Sequence, residues 1–204
     1  LMSSIKENTV DLILTDLPYG ITNCRWDKQI DFKLLWQQYT RIIKENGAIL
    51  LFAIEPFASE LRLSNKKMYK YLPPLCVISI IITYENILVF YKKQPFYSPQ
   101  KSQNHKPMHS YTKYIETQNH MQVYGKTNKE LTGGGTTERF PTNIITFASD
   151  KQKSKLHPTQ KPVALLEYLI NTYTKQNELV LDSCMGSGST GIACINTNRH
   201  FIRN

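Results

Sequence analysis

At 204 residues, 41% of them hydrophobic, the chain is long enough for one good core with an appended lobe. The longest apolar run, from Leu75 to Ile82, is broken by Ser79 and falls well short of the roughly 18 residues of a membrane span. A net charge of +9 points to a polyanionic partner. The four cysteines, Cys24, Cys76, Cys184 and Cys194, have no metal-ligand spacing, so no metal is expected and a reduced cytoplasmic setting is.

In chain order, Val10 to Asp16 reads as a buried parallel strand. It ends in Asp16-Leu17-Pro18-Tyr19-Gly20, a turn that places a carboxylate and an aromatic ring where open α/β sheets hold their ligands. A helix is predicted over residues 31–45, with Asp31 as N-cap and Gly47 as the residue that ends it. Phe32, Leu35, Trp36, Tyr39, Ile42 and Ile43 give it a helical apolar stripe. Ala48 to Ala53 is the next strand, Pro56 starts a second helix, and Asn86 to Tyr91 is a further strand. The alternation predicts a mostly parallel sheet covered on both faces.

Residues 94–155 break this pattern. Nine basic residues stand against four acidic ones, interleaved with Tyr97, Tyr111, Tyr114, Tyr124 and Phe140, and Gly133-Gly134-Gly135 marks a loop. Lysines attract phosphates and aromatic rings stack on bases. The composition fits a DNA-contacting insert and a solvated insertion equally well.

His157-Pro158-Thr159-Gln160-Lys161-Pro162 leads into a helix buried through Val163, Leu165, Leu166, Leu169 and Ile170. Leu179 to Asp182 is a short buried strand, followed by a turn with Gly186, Gly188 and Gly191 and a helix from about Ser189. Strand, glycine turn and helix N-terminus form a site for a small polar ligand. The same glycines spell the dinucleotide pattern of nicotinamide-dependent oxidoreductases, but no acidic residue follows where that pattern puts one. A structural turn with no ligand is the remaining reading of the loop alone.

Three motifs now stand in order: Asp16 to Tyr19, His157 to Pro162, and Asp182 to Thr190. Over about residues 5–69, 84–93 and 156–202 the chain closely resembles the DNA amino-methyltransferases, specific for adenine N6 or cytosine N4, in their circularly permuted beta group. The resemblance implies a Rossmann-like methyltransferase fold, with a catalytic half (1–93), a target-recognition insert (94–155) and a cofactor-binding half (156–204). It implies S-adenosyl-L-methionine as methyl donor and a base in double-stranded DNA as acceptor. A homodimer and a cognate restriction endonuclease are expected as further partners. Asp16, Leu17, Pro18 and Tyr19 would carry catalysis. Asp182, Met185, Gly186 and Gly188 would line the cofactor, with Thr159 and Lys161 near its methionine end. Lys101, Lys106, Lys126, Lys129 and Arg139 are the candidates for DNA contacts.

The chemistry agrees with that assignment. An exocyclic amino group conjugated to a base is a poor nucleophile, and drawing its nitrogen toward sp³ geometry requires acceptors for its two hydrogens. Asp16 supplies one and the Leu17 carbonyl another, while Tyr19 can stack on a base flipped out of the duplex. No Pro-Cys pair exists, which disfavours the covalent cytosine-C5 route. By the resemblance, whose pattern puts Asp first in adenine-N6 enzymes and usually Ser first in cytosine-N4 enzymes, Asp16 implies adenine N6 over cytosine N4. Against the family pattern, a strand and Gly-Asp pair before residue 5, an acidic residue after Ile202, and a longer segment at Tyr71–Thr83 are missing. A chain truncated at both ends with weakened catalysis is therefore expected, and a non-catalytic DNA-binding remnant is the limiting case.

Overall fold

Strand and helix alternate as the apolar pattern requires. The computed structural model describes residues 2–21, 24, 27–70, 76–79, 83–107, 111–114, 130–142, 144–148 and 160–203. After a 3-10 turn at Met2–Ser4 come β1 (Val10–Asp16), α1 (Phe32–Ile42), β2 (Ile43–Ala53), α2 (Phe57–Ser64), β3 (Cys76–Ser79) and β4 (Thr83–Tyr91). Then follow β5 (Tyr111–Tyr114), β6 (Glu130–Gly133), β7 (Ile144–Thr146), α3 (Val163–Tyr173), β8 (Leu179–Asp182), α4 (Ser189–Asn196) and β9 (His200–Arg203).

The main sheet runs β7-β3-β4-β2-β1-β8-β9. The pairs β1–β2, β1–β8, β8–β9 and β3–β7 are parallel, while β4 is antiparallel to both neighbours. Side chains alternate across the sheet and define two cores. On one face Ile13, Ile49, Leu51, Phe90 and Leu181 pack with Leu35, Trp36 and Tyr39 of α1 and Phe57 and Leu61 of α2. On the other, Leu12, Leu14, Leu50, Phe52, Val89 and Val180 pack with Leu165, Leu166, Leu169 and Ile170 of α3 and Ala193 of α4. The expected mostly parallel sheet with helices on both faces is thus present. Among the described residues no helix is long and apolar enough to cross a membrane, and no group of three or more His, Cys, Asp or Glu could hold a metal ion.

One boundary differs from expectation. Asp31 does cap α1, its carboxylate accepting from the Lys33 and Leu34 amides, but the helix ends at Ile42 and not near residue 45. The β-branched pair Ile42-Ile43 favours extended backbone, and β2 begins at once. Its pairing with β1 shifts register between Val10↔Ile43 and Leu12↔Ala48. Gly47 lies inside this irregular stretch and does not end the helix. A Cβ there would fall 2.8 Å from the Ile43 side chain and 2.9 Å from the Asp11 carbonyl oxygen. Close backbone approach therefore requires the glycine. Gly47→Ala is expected to cost about 1–3 kcal/mol, read as a lower urea midpoint with an unchanged slope.

Lys101–Pro141 form a compact unit of their own, and the rest of the chain forms another. In that smaller unit β5 and β6 pair antiparallel, and Ser102 bridges to Arg139. Residues 94–100, 142 and 144–148 belong to the larger unit, where β7 joins the sheet beside β3.

Candidate active site

Three strands deliver polar side chains to one edge of the main sheet. β1 and β8 are parallel, with Ile13 opposite Leu181, so Asp16 and the loop after Asp182 emerge on the same side. Because β4 is antiparallel to β2, with Phe52 opposite Ile87, it brings its early residue Glu85 to that edge too. Lys161 just precedes α3, which packs on the Leu12, Leu14 and Phe52 face, and its ammonium lies over the Phe52 ring at 5.1 Å.

These residues meet at Asp16. One carboxylate oxygen accepts the Tyr19 hydroxyl at 2.7 Å, and the other pairs with Lys161 Nζ at 2.8 Å. Lys161 is also 2.8 Å from Glu85 Oε1, and Tyr19 OH is 3.5 Å from the same oxygen. Burial, then the two carboxylates, push the Tyr19 hydroxyl far above the usual tyrosine range, so it remains a neutral donor. Burial opposes the Lys161 charge, but Asp16 and Glu85 outweigh it and hold the ammonium above its ordinary value. The Tyr19 ring packs on Phe57, centroids 5.1 Å apart. The turn beyond is fixed by Asp27, which accepts from the Gly20 amide at 2.8 Å and the Ile21 amide at 3.1 Å; Gly20 takes a positive φ of 72°.

The glycine loop is built around Asp182. Its Oδ1 accepts from Thr15 Oγ1 at 2.7 Å and from the Cys184 amide at 3.0 Å, and its Oδ2 accepts from Thr190 Oγ1 at 2.6 Å. The side chain is therefore turned inward, as the loop's frame. Burial raises its pKa, and these three hydrogen bonds pull it back down. Tyr39 of α1 meets Ser183 Oγ at 2.6 Å, anchoring the loop from the opposite face. Gly186 and Gly188 have φ of 52° and 82°, which L side chains rarely adopt. A Cβ on Gly188 would meet nothing within 4 Å, so open space borders the loop backbone. Gly191 instead lets α4 approach β9, since a Cβ there would lie 2.9 Å from the Phe201 ring.

The structure thus brings Asp16, Tyr19 and Lys161 together. It ties them to the loop through adjacent Thr15, and the Asp16 charge also acts on Asp182 and Cys184. Lys161, expected near the cofactor's methionine end, has its ammonium on the two carboxylates. Thr159, Lys126 and Lys129 lie outside the described residues. In the smaller unit Lys106 is exposed, and Lys101 pairs with Glu138 at 2.9 Å while lying over Phe140. Arg139 donates to the carbonyls of Thr136, Glu138 and Lys106, which makes it a brace of its own unit. Glu85, Thr15, Asp27 and Ser183 are not singled out from sequence, and Tyr39 enters there only as part of the apolar stripe of α1, without its hydroxyl contact to Ser183. A signal existed for two of them: Thr15 is polar within an apolar strand, and Glu85 is an acid just before the run Ile87 to Phe90.

Residues 10–203 match a family model described as DNA methylase. The Type II methyltransferase M.HpaI of Haemophilus parainfluenzae is 23% identical over 98% of this chain, which spans only 65% of that relative's length. The crystal structure of an M1.HpyAVI–SAM complex superposes with a TM-score of 0.58 at 24% identity, covering 96% of this chain and 82% of that one. The PvuII DNA methyltransferase, cytosine-N4-specific, gives 0.61 at 13% identity, covering 100% and 77%. At these identities the structural likeness carries the fold.

Proposed function

Since the chain belongs to the DNA methylase family, we propose that it transfers a methyl group from S-adenosyl-L-methionine to the exocyclic N6 amino group of adenine in duplex DNA. The observation that carries this reading is the arrangement at one sheet edge: the Asp16 carboxylate stands beside an open glycine loop, and Thr15 joins the two through Asp182.

The loop suits the methyl donor. Positive φ at Gly186 and Gly188 and open space beside Gly188 present main chain to a ligand with no side chain in the way. Met185, Gly186 and Gly188 would hold the donor, over the frame that Asp182 sets. When bound, it supplies a methyl group activated by a sulfonium. Every other contribution comes from the chain. Asp16 accepts a hydrogen of the target amino group and the Leu17 carbonyl takes the other, which frees the nitrogen lone pair for attack. Pro18 fixes that carbonyl's turn and has no N–H to compete. The Tyr19 hydroxyl now occupies one Asp16 oxygen, so it must withdraw as the base enters, leaving its ring to stack on that base. Catalysis is then positioning and electrostatics, with no covalent enzyme intermediate. Lys106 and Lys101 of the smaller unit serve the DNA phosphates and make binding fall with salt.

The test is incubation of the purified chain with methyl-labelled S-adenosylmethionine and unmethylated duplex DNA, followed by nucleoside mass spectrometry. N6-methyladenine is the expected product. N4-methylcytosine would establish the second reading, which the likeness to the PvuII enzyme favours. Salt-dependent DNA binding with no methyl incorporation would leave the non-catalytic reading in its place.

A further inference from the structure

Lys161 lies at 2.8 Å from Asp16 Oδ2 and at 2.8 Å from Glu85 Oε1, so neither carboxylate holds it preferentially. The three side chains are only 15–28% exposed, where charges act on one another far more strongly than in bulk water. Tyr19 spans the same two acids. The trio carries a formal charge of −1: two carboxylates against one ammonium.

That balance matters for amine methylation. The nitrogen lone pair forms the new N–C bond, the S–C electron pair stays on sulfur, and positive charge moves onto nitrogen until a proton leaves it for Asp16. A pair of Asp16 and Lys161 alone would be neutral, with the acceptor already saturated by a full ammonium. A second carboxylate on the same ammonium removes part of that hold and returns a net negative charge to the place where positive charge arrives.

Resting on the amino-methyltransferase reading, we propose that Glu85 is a positioning residue for methyl transfer: by sharing Lys161 and Tyr19 with Asp16, it keeps Asp16 available as an acceptor and the site net negative. Its position fits that role. It enters on the antiparallel strand β4, from the side opposite the glycine loop, and among the described residues its carboxylate meets Lys161 and Tyr19.

The test compares Glu85→Gln, which keeps the shape and loses the charge, with Glu85→Asp, which keeps the charge. Single-turnover methyl transfer to unmethylated duplex DNA is measured at saturating S-adenosylmethionine, beside calorimetric affinity for S-adenosylmethionine and the melting temperature. E85Q is expected to lose about 100-fold in rate with cofactor affinity and melting temperature at wild-type values, and E85D to recover most of that rate. A wild-type rate in E85Q overturns the proposal. So does a rate loss matched by lost affinity or stability, or an E85D as impaired as E85Q, since each marks a purely structural role. An inactive wild-type chain instead strikes the methyltransferase reading itself, so the two failures are told apart.

Discussion

Asp16→Ala is expected to abolish methyl transfer, by about a thousandfold or more, while leaving S-adenosylmethionine affinity intact. Asp16 sits at the end of β1, one residue beyond the Thr15–Asp182 link, so its removal need not disturb the glycine loop. What disappears is the carboxylate that receives the Tyr19 hydroxyl at 2.7 Å and the Lys161 ammonium at 2.8 Å. Lys161 then falls wholly to Glu85 and forms a neutral pair with no acceptor for an amino hydrogen. Asp16→Asn should lie between the two, because its amide offers one acceptor oxygen but turns a donor toward the Tyr19 hydroxyl or the Lys161 ammonium. Rates measured at saturating donor, together with calorimetry, separate this from a binding defect. A variant within tenfold of wild type would mean that the Leu17 carbonyl alone polarises the amine.

The parts of this site that could be read in the sequence were those whose chemistry is local. Asp16-Leu17-Pro18-Tyr19 ends a strand, and Gly186 and Gly188 follow another; in both cases turn residues beside an acid signal a ligand edge. Short apolar runs likewise mark the central strands, apolar residues at helical spacing mark the helices, and the alternation of the two predicts the layered sheet. Glu85 was not legible because its role depends on β4 running antiparallel, a matter of sheet topology that no local pattern encodes. Lys161 was read as a cofactor neighbour from its motif, yet only tertiary packing of α3 over Phe52 shows which acids it meets. Asp182 was expected to face a ligand, and nothing in its neighbourhood announced that Thr15, 167 residues away, would claim one of its oxygens. Gly47 resembled a helix-ending glycine because it follows the last helical apolar residues; the register shift that makes it a close-approach glycine arises only when β2 pairs with β1.

Asp182→Ala should be the most destabilising change at the site. The residue is 4% exposed, and alanine strands the Thr15 and Thr190 hydroxyls and the Cys184 amide that its carboxylate now receives. Each abandoned buried donor costs about 1–3 kcal/mol, and because the hydroxyls can turn to other acceptors the sum should be about 3 kcal/mol, with cofactor affinity lost as the loop relaxes. Asp182→Asn keeps an acceptor at Oδ1 and should lose far less. Its pH dependence tests the cause. Burial raises the Asp182 pKa above the ordinary 3.8, against the pull of its hydrogen bonds. A raised value means the folded state holds the proton more tightly than the unfolded chain, so that stabilisation is complete below pH 3.8 and fades as pH rises through the folded value. Asparagine, which does not titrate, should therefore close its stability gap to wild type as pH rises from about 4 to about 7 in urea denaturation; a widening gap would show that the ionised carboxylate is what the loop requires. Cofactor affinity read on the same variant separates frame from contact. If Asp182 acts by holding the loop, D182N binds S-adenosylmethionine nearly as wild type does, whereas a direct contact to the donor's amino or hydroxyl groups would make D182N lose affinity while remaining stably folded.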